Sequence, residues 1–276
     1  MKFKNVKNIK IFHTSAYPLR ENTRHSNLNL IKPLSKTLMD PCGSNFMNLD
    51  IETMSNSLNV QFPVAISIAG RNFNKLFIIK PELGKVKYEL LINGSDKLWL
   101  EFFNYLNTLP SNTSFFVHNL GSFDGLFLYK AISLQFKPDQ VKTIIDHHNK
   151  FITISLNLEN GNTITWLDSY RIFPVSLKDL CKTFKVEGKS QNYNQSFSSL
   201  DLFNNEELLI LFKEYSLQDS IALYQALEKA QEVYIDKYKV DICSIFSTSS
   251  LSLKIFRLIF QDCNIPSPPP SRTGPP

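Results

Sequence analysis

Four acidic residues in three short motifs are where this 276-residue chain could do chemistry. The motifs are Asp50-Ile51-Glu52-Thr53, Asn119-Leu120-Gly121-Ser122-Phe123-Asp124 and Tyr215-Ser216-Leu217-Gln218-Asp219. Each sits in an apolar context that would aim its carboxylates at one point. Four converging carboxylates cannot all stay ionised without cations between them. An oxygen-only ligand set suits Mg²⁺ or Mn²⁺. Two such ions, roughly 3.5–4 Å apart, clamp a phosphodiester for in-line attack by water. The chemistry to expect is therefore two-metal hydrolysis at a nucleic-acid end.

Each motif alone has a plainer reading. Asp50 and Glu52 lie two apart on an expected strand, so alternation puts both on one face with Ile51 behind them. Most D-x-E triplets are ordinary surface acids; the apolar run before this one raises its value. Asp124 opens an expected helix, where the macrodipole favours an acid, and it could be a mere cap. That does not account for the amide of Asn119 and the ring of Phe123 in the same turn. An amide can bond phosphate or sugar, and an aromatic ring can stack on a base. Tyr215 and Asp219 are four apart on an expected helix and share a face. There Asp219 could bind metal while the Tyr215 hydroxyl orients the attacking water. An unremarkable amphipathic helix is the default reading of that motif. It weakens because Asp219 sits near Leu217, Ile221 and Leu223, where a lone carboxylate would be costly.

The elements that must position these acids are legible in outline. Phe46–Glu52 reads as a strand, as do the runs 64–69 and 76–79, bounded by Pro63, Gly70 and Pro81. Ser95 can cap a helix bearing Leu98, Trp99, Phe102, Phe103 and Leu106. Residues 114–117 form a strand into the second motif, and 126–132 a helix after it. Residues 151–156 and 163–167 alternate around Asn160-Gly161, a strong hairpin signal. Ser176 caps a short helix through Phe184. Residues 204–235 form the longest helical stretch, with room for one break. Residues 247–260 start another helix. Strands first, then interleaved helices, predict an α/β fold, a mixed sheet flanked by helices.

Composition narrows the class. The 43 % hydrophobic content suffices for a core. No apolar run approaches the ~20 residues of a membrane helix. Cys42, Cys181, Cys243 and Cys263 are far apart, which argues against a zinc site or a disulfide framework. No glycine-rich nucleotide loop is present. His147-His148, beside Asp146 and Asn149, reads as an exposed loop pair rather than a metal site. Residues 1–39 carry a net +7, exceeding the +5 of the whole chain. That segment could be a solvated tail, a phosphate-contacting arm or a transit segment. From Pro266 onward the chain is Pro-rich and expected to be disordered.

The ordered triple D-x-E, N-x-x-x-F-D, Y-x-x-x-D resembles the three exonuclease motifs of family-B DNA polymerases. More narrowly, it is similar to the protein-primed branch of phages and mitochondrial linear plasmids. His118-Asn119-Leu120 before Phe123-Asp124-Gly125-Leu126-Phe127 strengthens the resemblance. So do Leu167-Asp168-Ser169-Tyr170-Arg171-Ile172-Phe173-Pro174 and Leu180-Cys181-Lys182-Thr183-Phe184-Lys185-Val186. It covers roughly residues 46–260. It implies a ribonuclease H-like 3′–5′ exonuclease domain over 46–240, after a basic amino-terminal segment, 1–45. A linker over 241–262 toward a polymerase domain and a disordered tail, 263–276, would follow. It implies Asp50, Glu52, Asp124 and Asp219 as ligands of two Mg²⁺ or Mn²⁺ ions, with Tyr215 orienting water. Thr53, His118, Asn119, Phe123, Phe127 and Ser169 fall where the family holds a single-stranded 3′ end. Lys189, with Lys185 as the alternative, falls near the lysine that stabilises charge on the scissile phosphate.

The palm motifs of such polymerases are absent, so polymerisation is not expected of this chain alone. It reads as a fragment or a decayed remnant. The resemblance implies a monomer acting on a single-stranded DNA 3′ end in mitochondria, with a terminal protein primer or a polymerase domain as partner and no membrane. Two rivals stand beside it: an RNA 3′-trimming exonuclease, and a catalytically silent nucleic-acid-binding remnant.

Overall fold

The computed structural model describes residues 12–13, 30–34, 44–81, 86–188, 193–261 and 265–266. Ten strands are present among them: β1 (Phe12–His13), β2 (Leu30–Ile31), β3 (Phe46–Ser55), β4 (Gln61–Gly70), β5 (Phe73–Ile78), β6 (Thr113–Val117), β7 (Val141–Ile145), β8 (Phe151–Asn157), β9 (Thr163–Asp168) and β10 (Ile265–Pro266). The α-helices are α1 (Tyr88–Leu106), α2 (Asp124–Gln135), α3 (Ser169–Ile172), α4 (Leu177–Phe184), α5 (Glu206–Tyr238) and α6 (Thr248–Ile255).

Eight strands make one mixed sheet in the order β1-β7-β8-β9-β6-β3-β4-β5, and β10 pairs with β2 apart from it. β3, β6 and β9 run parallel at its centre. The hairpin partners β4, β5, β7 and β8 are antiparallel. The carboxyl ends of three adjacent parallel strands therefore open on one edge, which is where α/β sheets bind ligands. The expected mixed sheet with flanking helices is borne out.

Two apolar clusters cover the sheet. One gathers α1 and α2 over Leu49, Ile51, Phe115 and Trp166. The other gathers α4, the later part of α5 and the chain from Val240 to Leu258 over Phe46, Phe116 and Leu167. Alternation along β3 sends Leu49 and Ile51 into the first cluster and turns Asp50 and Glu52 the other way, toward α5. The register agrees. Ser67 pairs with Asp50 across β3–β4, and its hydroxyl lies 2.6 Å from that of Ser220 on α5.

Three elements depart from expectation. α1 begins at Tyr88, not at Ser95, and runs through Asn93-Gly94. A β-carbon on Gly94 would lie 2.5 Å from Ile79 Cγ2, so this glycine lets helix and strand meet closely instead of breaking the helix. β7 gives little sequence signal, because it is a five-residue strand with no fully buried side chain. Residues 241–261, expected as a linker, are packed. Ile242, Ile245, Leu251 and Leu258 are buried in the second cluster. Thr248 Oγ1 donates to the carbonyl of Ile172, and Leu34 N donates to that of Arg257. The expected disordered tail falls almost entirely outside the described residues.

Candidate active site

The first motif occupies the second half of β3. A β-bulge between Glu52 and Thr53 shifts the register there, so that Thr53 pairs with Pro63. The bulge follows the acids immediately and separates them from the buried Met54. α5 brings in the third motif. Asn205 caps this helix, its side chain accepting from Leu208 N at 3.1 Å. Ser216 and Ser220 are both wholly buried on its sheet side. Their small side chains allow close approach, and the Ser67–Ser220 contact fixes it. Asp219 lies beside Ser220 at the rim of that contact.

The result is a carboxylate cluster. Asp50, Glu52 and Asp219 each offer an oxygen, and these oxygens all lie within 4.8 Å of one another. For these three acids the convergence expected from the motifs is present, although Asp219 is far from β3 along the chain. Unit charges at about 4 Å repel by about 1 kcal/mol in water and about 4 kcal/mol at an effective dielectric near 20. A hard divalent cation is the natural counter-charge, and the all-oxygen donor set fits one.

Asp124 stands beside this group rather than within it. It is 7 % exposed, and its Oδ1 accepts from Ile51 N at 3.2 Å, bridging the second motif to the first. Burial, and then the charge of Asp50, push its carboxyl well above the usual range. The turn before it is tightly built. Asn119 is in the left-handed region at φ 70°. Gly125 N donates to Leu120 O at 3.0 Å, and a β-carbon on Gly125 would sit 2.3 Å from that carbonyl. Only glycine fits there.

Asp168 supports the turn and was not singled out from the sequence. Its Oδ1 accepts from Asn119 N and Tyr170 N, both at 3.0 Å, and its Oδ2 accepts from Gly121 N at 3.2 Å. Arg171 Nε lies 3.8 Å away and pairs also with Asp146. Burial raises the Asp168 carboxyl, against the opposing pull of these amides and of Arg171. A sequence cue existed: Asp168 ends an apolar strand. Partial burial would raise Asp146, but hydrogen bonds from Arg171 and from the amides of Lys150 and His148 bring it down to about 2.

The remaining sequence candidates divide. Phe123 and Phe127 are half-buried, with ring centroids 5.1 Å apart, and Asn119 is exposed beside them. Thr53 is half-buried just after Glu52. His118 is engaged on both ring nitrogens, with Ser169 Oγ and Val175 O, each at 3.0 Å. Burial lowers its basicity. A neutral ring that donates from Nε2 to Val175 accepts at Nδ1 from Ser169. Ser169 is wholly buried and also lies 3.3 Å from Val117 O, which places it behind the turn and not on its surface. Tyr215 is buried against Phe197, one turn before Asp219, and its ring lies 5.8 Å from that of Tyr193. Lys185 is exposed at the left-handed end of α4. Lys189 lies outside the described residues. Gly188, just before it, accepts from Gln218 Nε2 at 3.4 Å, beside Asp219. His147 and His148 are exposed, as expected.

Residues 105–205 match the family profile of DNA polymerase type B, organellar and viral. A probable DNA polymerase of Ascobolus immersus is 25 % identical over 252 residues, covering 77 % of this chain and 20 % of the relative. One of Neurospora intermedia is 22 % identical over 240 residues, covering 72 % and 23 %. The chain thus spans about a fifth of the length of these relatives. Among solved structures, Phi29 DNA polymerase with primer-template DNA and incoming nucleotides superposes with a TM-score of 0.54 at 15 % identity. That match covers 77 % of this chain and 34 % of the other. Phi29 DNA polymerase with single-stranded DNA gives 0.51 at 16 % identity, covering 76 % and 34 %. These likenesses bear out the ribonuclease H-like α/β fold. Over residues 105–205 this chain carries the pattern of the organellar and viral type B DNA polymerases, the resemblance its motifs pointed to.

Proposed function

We propose that this chain is the 3′–5′ exonuclease portion of a protein-primed DNA polymerase, hydrolysing single-stranded DNA from its 3′ end. One observation carries the reading: carboxylates far apart in sequence, on β3 and α5, meet within 4.8 Å at the carboxyl edge of the parallel strands. Asp50, Glu52 and Asp219 would hold Mg²⁺ or Mn²⁺, with Asp124 completing the set for two ions. Bound there, such ions would lower the pKa of water and neutralise charge on the phosphate.

The residues of the chain do the rest. Asn119, Phe123 and Thr53 would bind the terminal nucleotide by amide contact and base stacking. Tyr215 would orient the attacking water. The water oxygen bonds to the terminal phosphorus, and the bond from phosphorus to the preceding 3′ oxygen breaks. A nucleoside 5′-monophosphate leaves. Lys189 would offset charge on the scissile phosphate. His118, Ser169 and Asp168 hold the turn that presents Asn119 and Phe123.

The test is a 5′-labelled single strand incubated with the full chain and Mg²⁺. Stepwise shortening from the 3′ end is expected. Asp50→Ala and Asp219→Ala should each reduce the rate by at least about 10²-fold, a loss of ~3 kcal/mol of transition-state stabilisation. A folded, Mg²⁺-supplied protein that leaves the strand intact sinks the reading. A matched RNA strand separates DNA from RNA trimming, because only RNA presents the 2′-hydroxyl.

A further inference from the structure

The turn between β7 and β8, residues 146–150, takes part in no step of the proposed reaction and yet is built against the second motif. β8 runs antiparallel to β9, with Thr153 opposite Leu167. The turn before Phe151 therefore stands beyond the carboxyl end of β9, at the same edge of the sheet as the acids. Its contact with the second motif is close. A β-carbon on Gly121 would lie 2.9 Å from Phe151 O and 3.1 Å from Lys150 Cβ. Lys150 Nζ donates at 3.2 Å to the hydroxyl of Ser122, which shares that motif with Asp124.

The turn is held in one shape. Asp146 Oδ1 accepts from His148 N at 2.8 Å and from Lys150 N at 2.9 Å, and Asp146 N donates to Lys150 O at 2.9 Å. Asn149 takes the left-handed conformation at φ 60°. The acid of the turn, Asp146, is paired with Arg171, so the charge of Lys150 is not cancelled within the turn. Lys150 is exposed, as are His147 and His148, whose ring centroids lie 3.8 Å apart. A fixed cation beside a pair of exposed aromatic rings matches a phosphate and its adjoining base.

In sheet order β8 is three positions from β3, about 14 Å at the usual strand spacing. That places Lys150 away from a phosphate held by Asp50 and Glu52, with the turn bearing Asn119 and Phe123 between them. We propose that the β7–β8 turn binds the same single strand inward from its 3′ end, with Lys150 at a phosphate and the His147–His148 pair against a base. The proposal rests on the nuclease reading and deepens it: the turn grips the strand and adds to affinity, not to the chemical step.

The test uses the full chain and a 5′-fluorescein oligothymidylate of roughly 10 nucleotides. Affinity is read by anisotropy in Ca²⁺ over a salt series, and cleavage in a parallel Mg²⁺ reaction. Lys150→Gln keeps a donor for Ser122 and removes the charge. It should lower the salt slope by about 0.7, the value for one phosphate on a single strand, and Lys150→Arg should restore it. Ser122→Ala should leave the slope as it is, because that hydroxyl serves only to hold the turn. His147→Ala and His148→Ala together should weaken binding about tenfold, in the range expected for losing one stacked base. In cleavage, the loss in Lys150→Gln should fall on KM rather than on kcat. An unchanged slope in Lys150→Gln and unchanged affinity in the histidine variant, with the wild type still cleaving, overturn this contact and leave the nuclease reading in place. A folded protein that binds no strand rejects both.

Discussion

Asp124 shows how a single residue can oppose the fold that holds it. It is buried, it feels the charge of Asp50, and its carboxyl is held above the usual range. A carboxyl raised in the folded state binds a proton there that the unfolded chain has already lost. Stability of the metal-free protein should therefore fall as pH rises from the ordinary carboxylate range through the raised value. Asp124→Asn keeps an oxygen for Ile51 N and removes the charge. We expect it to stabilise the metal-free protein at neutral pH and to flatten that slope, while abolishing the proposed exonuclease activity. Urea titrations across pH check this. Gly125 is constrained by shape. Gly125→Ala drives a β-carbon toward Leu120 O and the Phe151 ring. A loss of roughly 1–3 kcal/mol is expected in the same titration, as for other overpacked sites.

Among the elements, the turn between β6 and α2 depends on the end of β9. Asp168 accepts from three backbone amides, two of them in that turn. Asp168→Ala leaves these amides without their acceptor, at a cost of roughly 1–3 kcal/mol. Hydrogen exchange should accelerate at Asn119 and Gly121 before it does so in β3. The proposed cleavage should slow mainly through weaker binding of the strand end. Equal protection at these amides in the variant and the wild type argues against this role. The first and third motifs were legible as a strand and a helix because their periodicities are clean. The service of β9 to the second motif was not, because a hydrogen bond across 47–49 residues leaves no local pattern.

At the scale of the molecule, two apolar clusters share one sheet, and the second draws on the chain beyond Val240. Ending the protein at Lys239 would strip Ile242, Ile245, Leu251 and Leu258 from it. Each buried aliphatic side chain contributes about 1.5–3 kcal/mol. Against a typical 5–15 kcal/mol of total stability, such a truncation should melt far lower or fail to fold. A cooperative melt of the 1–239 chain at the temperature of the full chain contradicts this.

Local periodicity and turn chemistry were enough to find the longer strands of the sheet, the long helix, the hairpin at Gly161 and the four acids, while β7 stayed hidden because it buries no side chain fully. The sequence by itself also carried the resemblance to type B polymerases, through ordered motifs. Tertiary structure alone decided that Asp50, Glu52 and Asp219 share one point, that Asp124 stands beside them buried, and that Ser169 lies behind the turn. It also decided that Gly94 belongs inside a helix and that residues 241–261 belong to a core. Each of these depends on which face of one element meets another, and that is set by packing across the sheet rather than by any neighbour in the chain.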